Sequence, residues 1–402
     1  MAEVTNYIDR LVAELCPEGV EYRPLGDVVE YAKKREKDGT GVHLYVGVEN
    51  LKSDFLGCSP VNGSKGGIIF QKDDILLGNI RPYLKKMWLS NAEGVSSPDV
   101  LVLRIQENEE ENIVAKYLYY ILSSSKFVAY NISHSRGGKM PRGNKAKILE
   151  FEFPVPPMEI QEAIVEILDK FMNLEAELEG ELEARTLQYE YYRDSLFEAL
   201  DCPRVSLGSL GTFVRGNGLQ KKDLQESGNP VIHYGQVFTR YGLHEDKTLS
   251  YANDEVYNKL RKAEKGNLVI ATTSENDEDV CKALAWLGET PAGISGDAYI
   301  YRHEMNPKYV SYFFTTHDFQ RQKLRHITGT KVRRVSGKNL ETIEIPLPSL
   351  EEQQRIVDIL DRFDALTSSL SEGLPAELAA RRSQYEYYRD QLLTFPRKGE
   401  NQ

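Results

Sequence analysis

The heptapeptide QYEYYRD occurs twice in this 402-residue chain, at Gln188–Asp194 and again at Gln384–Asp390. Seven identical residues in the same order do not recur by chance in a chain of this length. Each copy ends a long stretch of helical pattern, and each stretch follows a Pro-x-Pro sequence that begins at Pro154 or at Pro346. The chain is therefore a tandem duplication, which predicts two copies of one folded unit.

The duplication extends far beyond the heptapeptide. A shift of 192 residues (308 minus 116) aligns the two halves without a gap from Lys116 to Leu174. The identical pairs include Lys116 with Lys308, Tyr117 with Tyr309, Tyr120 with Tyr312, Gly137 with Gly329, Lys139 with Lys331, Arg142 with Arg334, Gln161 with Gln353 and Asp169 with Asp361. A Cys-Pro pair also precedes each half, at Cys16 and at Cys202. The helical segment Tyr7–Leu15 then corresponds to the end of the central helix, so we expect the repeat to be circular.

Each half begins with short strand patterns separated by Gly, Asn and Ser. The predicted strands are His43–Val48, Gly67–Phe70, Ile75–Leu77 and Val100–Ile105 in the first half, and Val231–Tyr234, Leu268–Ala271 and Ala298–Tyr301 in the second. A helix, a basic segment interrupted by glycine and a last strand follow in both halves. This order of elements predicts an α+β globule in each half.

The segments that follow the Pro-x-Pro sequences are helical in pattern. Ile, Leu and Phe recur there at steps of three and four residues, which is typical of amphipathic, coiled-coil-like helices. The first segment predicts one long helix over Glu159–Leu200, whereas Gly373 and Pro375 should interrupt the second. We expect the two helices to pack antiparallel and to hold the two globules apart.

The predicted fold is thus α+β, with two α/β globules separated by two long antiparallel coiled-coil helices in a pseudo-twofold, circular repeat. The predicted domains are an N-terminal segment that completes the repeat (1–17), a first globule (18–157), a central helix (158–200), a second globule (201–348) and a C-terminal helix (349–395).

Composition excludes several classes of protein. No apolar run approaches the ~18–20 residues of a membrane span, and Met1–Arg10 does not have the pattern of a signal peptide. The four cysteines lie far apart, and none has a second Cys or His at metal-ligand spacing. We therefore expect free thiols, a cytoplasmic protein and no metal site.

Two segments without a single acid stand out in a chain whose net charge is −11. The first basic segment, Ser133–Lys147, holds five Lys and Arg residues, and the second, Arg321–Lys338, holds seven. A lone basic segment is usually a solvated face. Because these two occupy matching positions in the two halves, their distribution of charge favours contact with nucleic acid.

No motif for catalysis is present. The sequence lacks the phosphate-binding loop G-x-x-x-x-G-K-[ST], the zinc motif H-E-x-x-H and the nucleophile motif G-x-S-x-G. Asn306-Pro307 faintly resembles a methyltransferase motif, but the second proline and a glycine-rich loop are missing, and the pair is better interpreted as a helix cap. We therefore predict that the chain is not an enzyme.

Several further segments resemble one family. They are IVEILDKF at Ile164–Phe171, IVDILDRF at Ile356–Phe363, GLPAEL at Gly373–Leu378, IRPYLK at Ile80–Lys85 and ATTSENDEDV at Ala271–Val280. Together with the repeat and both QYEYYRD copies, they resemble the specificity subunit of a type I restriction–modification system. The resemblance covers nearly the whole chain.

The resemblance implies two target-recognition domains, each reading half of a split DNA sequence, and helices that set the gap between the halves. It also implies two modification subunits that methylate adenine at N6 with S-adenosylmethionine, and ATP-driven restriction subunits. The cofactors would then lie on partner subunits and none on this chain. The candidate DNA-contacting residues are Arg81, Arg136, Lys139, Arg142, Lys145, Arg325, Lys331, Arg333, Arg334 and Lys338.

The tyrosine clusters inside the two heptapeptides allow two interpretations. Tyrosines stack on single-stranded nucleic acid in some proteins, but their apolar ring and polar tip also suit protein contacts. We favour helix packing or a partner interface, formed by Tyr189, Tyr191, Tyr192, Tyr385, Tyr387 and Tyr388. The alternative function for the whole chain is a non-catalytic coiled-coil scaffold that has no preference for any DNA sequence.

Overall fold

The computed structural model describes residues 2–39, 41–367 and 373–399. The chain divides into two compact units. Unit 1 consists of Met1–Glu179 together with Glu377–Gln402, and unit 2 consists of Gly180–Ala376. Each unit contains helices and sheets, so the α+β class and the repeat of two domains are confirmed.

Unit 1 contains a four-stranded and a five-stranded sheet. Its strands are β1 (Tyr22–Pro24), β2 (Val29–Tyr31), β3 (Arg35–Glu36), β4 (His43–Val46), β5 (Val61–Gly63), β6 (Gly67–Phe70), β7 (Ile75–Gly78), β8 (Met87–Leu89), β9 (Gly94–Ser96), β10 (Val100–Ile105) and β11 (Glu152–Pro154). The sheet orders are β2-β10-β7-β8 and β3-β6-β9-β4-β5, and β1 pairs separately with β11. Its helices are α1 (Ala2–Leu15), α2 (Ala115–Ser123), α3 (Ser125–Ser133), α4 (Lys145–Leu149) and the first part of α5 (Met158–Glu198).

Unit 2 repeats this plan with other strand lengths. Its strands are β12 (Arg204–Ser206), β13 (Gly211–Arg215), β14 (Asn229–Ile232), β15 (His244–Glu245), β16 (Ser250–Ala252), β17 (Lys262–Ala263), β18 (Leu268–Ala271), β19 (Thr273–Ser274), β20 (Lys282–Trp286), β21 (Ala292–Ile294), β22 (Ala298–His303), β23 (Arg333–Arg334) and β24 (Glu344–Pro346). The main sheets are β13-β22-β18-β20-β15 and β16-β14-β21-β17, with β12-β24 and β19-β23 as separate pairs. Its helices are the last part of α5, α6 (Leu207–Leu210), α7 (Tyr234–Thr239), α8 (Asp254–Lys259), α9 (Pro307–Phe313), α10 (His317–Leu324), α11 (Gly337–Glu341) and α12 (Leu350–Thr367).

The long helical segments belong to both units rather than forming domains of their own. Helix α5 continues through Gly180, where unit 1 ends and unit 2 begins. In the C-terminal segment, α12 ends at Thr367 and α13 (Gly373–Leu392) begins at Gly373. Pro375 therefore lies in the first turn of α13, where its missing N–H leaves no helical hydrogen bond unmade. The predicted coiled-coil separation of the two globules stays a prediction.

The residues that are identical in the two halves make the same joint between helix and globule. In unit 1, Lys116 and Tyr120 of α2 donate hydrogen bonds to Asp169 of α5, and the Lys116 Nζ–Asp169 Oδ2 distance is 2.7 Å. In unit 2, Lys308 and Tyr312 of α9 donate in the same way to Asp361 of α12, at 2.7 Å each. The duplicated sequence is thus explained in part by duplicated internal contacts.

Both ends of the chain contribute to unit 1. The backbone N–H of Val20 donates to the carbonyl of Pro396 at 2.8 Å, and the N–H of Lys398 donates back to Val20 at 3.0 Å. Leu392, Leu393 and Phe395 are buried in the same hydrophobic core as Ile8, Ile160 and Ile164. The segment that follows α13 therefore completes the unit with which the chain begins.

Candidate nucleic-acid interface

The first basic segment folds into a short hairpin, which we call the first hairpin and define as residues 136–142. Arg136 and Arg142 exchange two backbone hydrogen bonds, both 2.8 Å long, and so close the loop. Gly137 follows the closing residue with φ +101°, a conformation that L side chains rarely adopt. The glycine that interrupts the basic segment thus permits the turn.

The second basic segment forms the same structure, the second hairpin, at residues 328–334. Thr328 and Arg334 exchange two backbone hydrogen bonds of 2.9 Å. Gly329 occupies the position of Gly137 and has φ +91°, and a Cβ placed there would lie 2.1 Å from the carbonyl oxygen of Val332. Only glycine fits at this position, so the fold of the hairpin accounts for the glycine found in both halves.

Both hairpins are held at the end of a buried central strand. The N–H of Gly143 donates to Asn79, directly after β7, at 3.0 Å, and the N–H of Val335 donates to Thr272, directly after β18, at 3.2 Å. The segments that follow these strands, residues 79–86 and 272–280, therefore begin beside the hairpins, and we call them the first and second flanking segments. The structure thus gives the IRPYLK and ATTSENDEDV sequences the same place in the two units.

The first flanking segment is basic. Arg81 has an exposed side chain and a left-handed backbone conformation (φ +54°), and its N–H donates to the carbonyl of Pro141 in the first hairpin at 2.7 Å. Ile80 forms a bridge with Arg142. The structure therefore brings Arg81, which is distant in sequence, to the first hairpin.

The second flanking segment is acidic and neutralises part of its hairpin. Strand β19 pairs with β23, and Arg333 forms an ion pair with Asp277, with 2.8 Å between Nε and Oδ1. Arg333 also donates to the carbonyl of Gly329 at 2.6 Å. The guanidinium of Arg333 is thus engaged inside the unit, whereas the side chain of Arg334 is exposed.

Most of the predicted contact residues present their side chains to solvent. The exposed ones are Arg81, Arg136, Lys139, Arg142, Lys145, Arg325, Lys331, Arg334 and Lys338. Arg142 donates to Asp99 at 3.1 Å, in an ion pair between exposed groups. Lys323, a further member of the second basic segment, is instead fully buried, and its ammonium donates to the carbonyl of Glu278 at 3.0 Å. Burial lowers the pKa of Lys323, which takes no part in the surface.

The three tyrosines of each heptapeptide lie in different environments. Tyr189 is buried, and its ring packs near the guanidinium of Arg193. Tyr385 is half-buried in unit 1, and burial raises its pKa to about 12. The third tyrosine stacks on a phenylalanine in each unit, with Tyr192 on Phe363 and Tyr388 on Phe171, both at centroid distances of 5.7 Å.

The middle tyrosine of each heptapeptide is the most exposed of the three. Tyr191 is 70% exposed and Tyr387 is 60% exposed. The last residue of each heptapeptide is structural, because Asp194 accepts a hydrogen bond from the N–H of His317 at 3.0 Å and Asp390 accepts one from Ser125 at 3.2 Å. The predicted partner interface stays a prediction, and Tyr191 and Tyr387 are its most exposed members.

Sequence reasoning missed two surface residues. Met140 is 53% exposed in the first hairpin, and Val332 is 42% exposed at the matching position of the second. The shift of 192 residues pairs these two positions, but their side chains differ, so a comparison by identity passes over them. The signal that could have found them is an apolar residue directly after a matched lysine in both basic segments.

Within residues 2–39, 41–367 and 373–399, no three His, Cys, Asp or Glu side chains are grouped so that they could hold a metal ion. Among the helices in this part of the chain, none is long and apolar enough to cross a membrane.

The chain matches the sequence profile of the family described as type I restriction modification DNA specificity domain, over residues 17–185 and again over 202–380. Two similar proteins are the specificity subunit of the type I restriction enzyme EcoR124I/EcoR124II of Escherichia coli and a putative type I specificity subunit of Haemophilus influenzae. The first is 29% identical and spans 98% of both chains. The second is 27% identical and spans 94% of this chain and 96% of the other.

A solved structure from a study of assembly and conformational transition in a type I R-M system has the same fold. It is 16% identical, with a TM-score of 0.63 over 93% of this chain and 97% of that one. The two profile matches coincide with the two halves of the duplication.

Proposed function

This chain belongs to the type I restriction modification DNA specificity domain family, and from this premise we propose that its two units read the two halves of a split, asymmetric DNA sequence. Specificity subunits of this kind bind DNA and assemble with the other subunits of their system. The family supplies sequence recognition rather than catalysis, and nothing in the comparisons favours a scaffold without DNA preference.

One observation supports the proposal above the others. The two hairpins have the same closing backbone bridge, the same positive-φ glycine and the same exposed lysine, yet their flanking segments differ in charge. Phosphate contacts position a protein on DNA, whereas side chains at base edges specify the sequence. A common cationic hairpin beside a variable segment suits this division, with the hairpin holding the backbone and the flanking segment reading bases.

The difference between the flanking segments predicts asymmetric recognition. Arg81 can donate two hydrogen bonds to guanine in the major groove, whereas carboxylates such as Glu275 accept hydrogen bonds from the amino group of cytosine. Both side chains are exposed. The two half-sites should therefore differ in sequence.

The chemistry would come from partner subunits. We propose that two modification subunits carry S-adenosylmethionine and methylate adenine at N6, and that restriction subunits hydrolyse ATP and cleave unmodified DNA. The exposed tyrosines Tyr191 and Tyr387 are our candidates for contact with the modification subunits. In this arrangement the chain itself holds no cofactor.

The test is co-expression of the full chain with modification subunits from the same organism, purification through a tag on this chain, and mapping of methylated adenines on random-sequence DNA. We expect the subunits to co-purify and to methylate one split sequence with a constant gap. Methylation without sequence preference, or no co-purification, would contradict the proposal and would favour the scaffold.

Charge reversal at the second hairpin tests the role of that surface. Arg334→Glu should abolish recognition of one half-site and leave the other half-site readable, because the exposed guanidinium is replaced by a charge that DNA repels. Glu341→Gln is the control, since Glu341 is an exposed acid in the same unit, outside the second hairpin. Normal methylation by the Arg334→Glu complex would exclude the second hairpin from the interface.

A further inference from the structure

The tips of both hairpins present an apolar side chain beside a lysine. Lys139 precedes Met140 in the first hairpin, and Lys331 precedes Val332 in the second. All four side chains are exposed. Exposed apolar side chains are ordinary when scattered, but here they recur at one position of a duplicated structure.

The surroundings of the tips identify the kind of surface that would cover them. Ser133–Lys147 and Arg321–Lys338 contain no Asp or Glu, so each apolar side chain is flanked along the chain only by neutral and cationic residues. In the first hairpin the side chains of Arg136, Lys139 and Arg142 are all exposed. In the second hairpin, Asp277 of the acidic flanking segment pairs with Arg333, but the side chains of Lys331 and Arg334 are exposed. A cationic loop with an apolar point suits a polyanion that carries apolar groups between its charges. Double-stranded DNA has this character in its major groove, where the 5-methyl group of thymine is the apolar feature of the base edges.

The backbone holds each tip in place before any ligand binds. Two hydrogen bonds close each hairpin, and further backbone contacts join each hairpin or the residue after it to the flanking segment, such as the hydrogen bond from Arg81 to Pro141 at 2.7 Å and the pairing of β19 with β23. Contacts made by a preorganised loop lose less conformational entropy on binding. The tip side chains can therefore add discrimination rather than only affinity.

We propose that Met140 and Val332 are specificity-determining residues, each packing on the 5-methyl group of a thymine in one half-site. This inference rests on the proposed function and adds an apolar contact to it. The neighbouring lysines position the tips on the phosphates, while the apolar side chains distinguish thymine from bases that lack the methyl group.

The test removes the methyl group from the DNA and the side chain from the protein in turn. The complex of the full chain with its modification subunits is titrated with a DNA duplex that contains the split sequence identified by mapping methylated adenines. Each thymine of the target is replaced singly by deoxyuracil, which keeps the base pair and deletes the methyl group. We expect wild type to bind about fourfold more weakly at one thymine in each half-site, from the loss of one methyl-sized contact.

Variants of the protein then remove the side chains proposed to contact the methyl groups. Met140→Ala should lose the sensitivity to deoxyuracil in one half-site only, and Val332→Ala should lose it in the other. Lys139→Gln should weaken binding to every duplex and reduce its dependence on salt concentration, yet remain sensitive to deoxyuracil. Leu15→Ala and Leu350→Ala are matched controls, because these leucines are also exposed but lie outside the hairpins. Both controls should behave as wild type.

The outcomes separate this inference from the proposed function. If wild type prefers one split sequence but no thymine responds to deoxyuracil, or if Met140→Ala and Val332→Ala remain sensitive, the inference is overturned and the proposed function stands. If wild type has no sequence preference, the proposed function itself fails, and this inference fails with it.

Discussion

At the scale of single residues, identity between the two halves has more than one cause. Asp169 and Asp361 are identical because each joins a long helix to its globule. Gly137 and Gly329 are identical because the hairpin requires a backbone conformation that glycine adopts readily. Within the described ranges 2–39, 41–367 and 373–399, Lys139 makes no ion pair or hydrogen bond, and its side chain is exposed. An identical residue without an internal role is therefore the better candidate for a ligand contact.

One half-buried residue should make unit 2 sensitive to acid. Burial lowers the pKa of His303, at the end of β22, from 6.5 to about 4. Between pH 6.5 and about pH 4, the imidazole binds a proton in the unfolded chain but not in the folded chain. The stability that unit 2 gains from a neutral His303 is therefore fully present above pH 6.5 and is lost as the pH falls through this window. The full effect amounts to roughly 3 kcal/mol.

Native-state hydrogen exchange of amides in β22 measures this effect at pH 7.5 and at pH 4.5. We expect wild type to lose protection at the lower pH by more than His303→Gln, which has no imidazole to protonate. Equal losses in the two proteins would show that the imidazole of His303 does not couple to the stability of the sheet.

At the scale of elements, each heptapeptide contains residues that pack within the unit and a tyrosine that is exposed to solvent. Tyr192 and Tyr388 stack on phenylalanines, and Asp194 and Asp390 accept hydrogen bonds from the first residues of α10 and α3. Tyr191 and Tyr387 contribute little to either core because most of each side chain is exposed. The helices thus use one face within the unit and leave Tyr191 and Tyr387 on an exposed face.

Tyrosine variants should separate these two faces. Tyr191→Ala and Tyr387→Ala should leave thermal unfolding nearly unchanged but reduce co-purification with the modification subunits, because only an exposed ring is lost. Tyr189→Ala should instead lower the free energy of unfolding of unit 2 by roughly 3–5 kcal/mol, as truncation of a buried aromatic ring does. If the Tyr191→Ala, Tyr387→Ala double variant co-purifies as wild type does, the exposed tyrosines are not the partner interface.

Strand and helix positions were largely readable from the sequence. Gly67–Phe70, Val100–Ile105 and Leu268–Ala271 match the structure at both ends, because apolar runs bounded by Gly, Asn or Asp have few alternatives. The strand predicted at Val231–Tyr234 was wrong at its end, since His233 caps helix α7 and Tyr234 begins it. The strand propensity of these residues is overridden there by the side chain of His233, which caps the helix.

The candidate surface was less predictable than the fold. The basic segments and their glycines could be identified from the duplication, but the ion pair of Arg333 with Asp277 joins residues that are distant in sequence. The burial of Lys323 likewise depends on tertiary packing, which a count of charges does not register. Composition predicts that a surface is basic, whereas only the fold decides which cations remain available.

At the scale of the whole molecule, the chain closes on itself within unit 1. Residues 377–399 supply most of α13 and the segment after it, and Leu392, Leu393 and Phe395 enter the core that also contains Ile8. Unit 2 is built from one continuous stretch, Gly180–Ala376. The two units therefore depend differently on the C-terminal end of the chain.

Truncation after Ala376 should affect the two units unequally. We expect unit 1 to lose protection from hydrogen exchange, because three large side chains leave its core, while unit 2 keeps its protection. A chain that ends at Lys398 is the control, since it retains the hydrogen bonds between Val20 and the segment after α13. Equal protection of unit 1 in the truncated and control chains would contradict this dependence.

The same closure reverses the usual order of folding during translation. A ribosome has made the first 179 residues long before it makes residue 377. At about 5–20 residues per second, the intervening stretch takes roughly 10–40 s. Unit 2, although encoded later than residues 1–179, has all its residues first, whereas the core of unit 1 stays incomplete until residues 377–399 have been made. The nascent chain is therefore most exposed to aggregation and to proteases in its N-terminal half, and chaperones that bind apolar surface should act there.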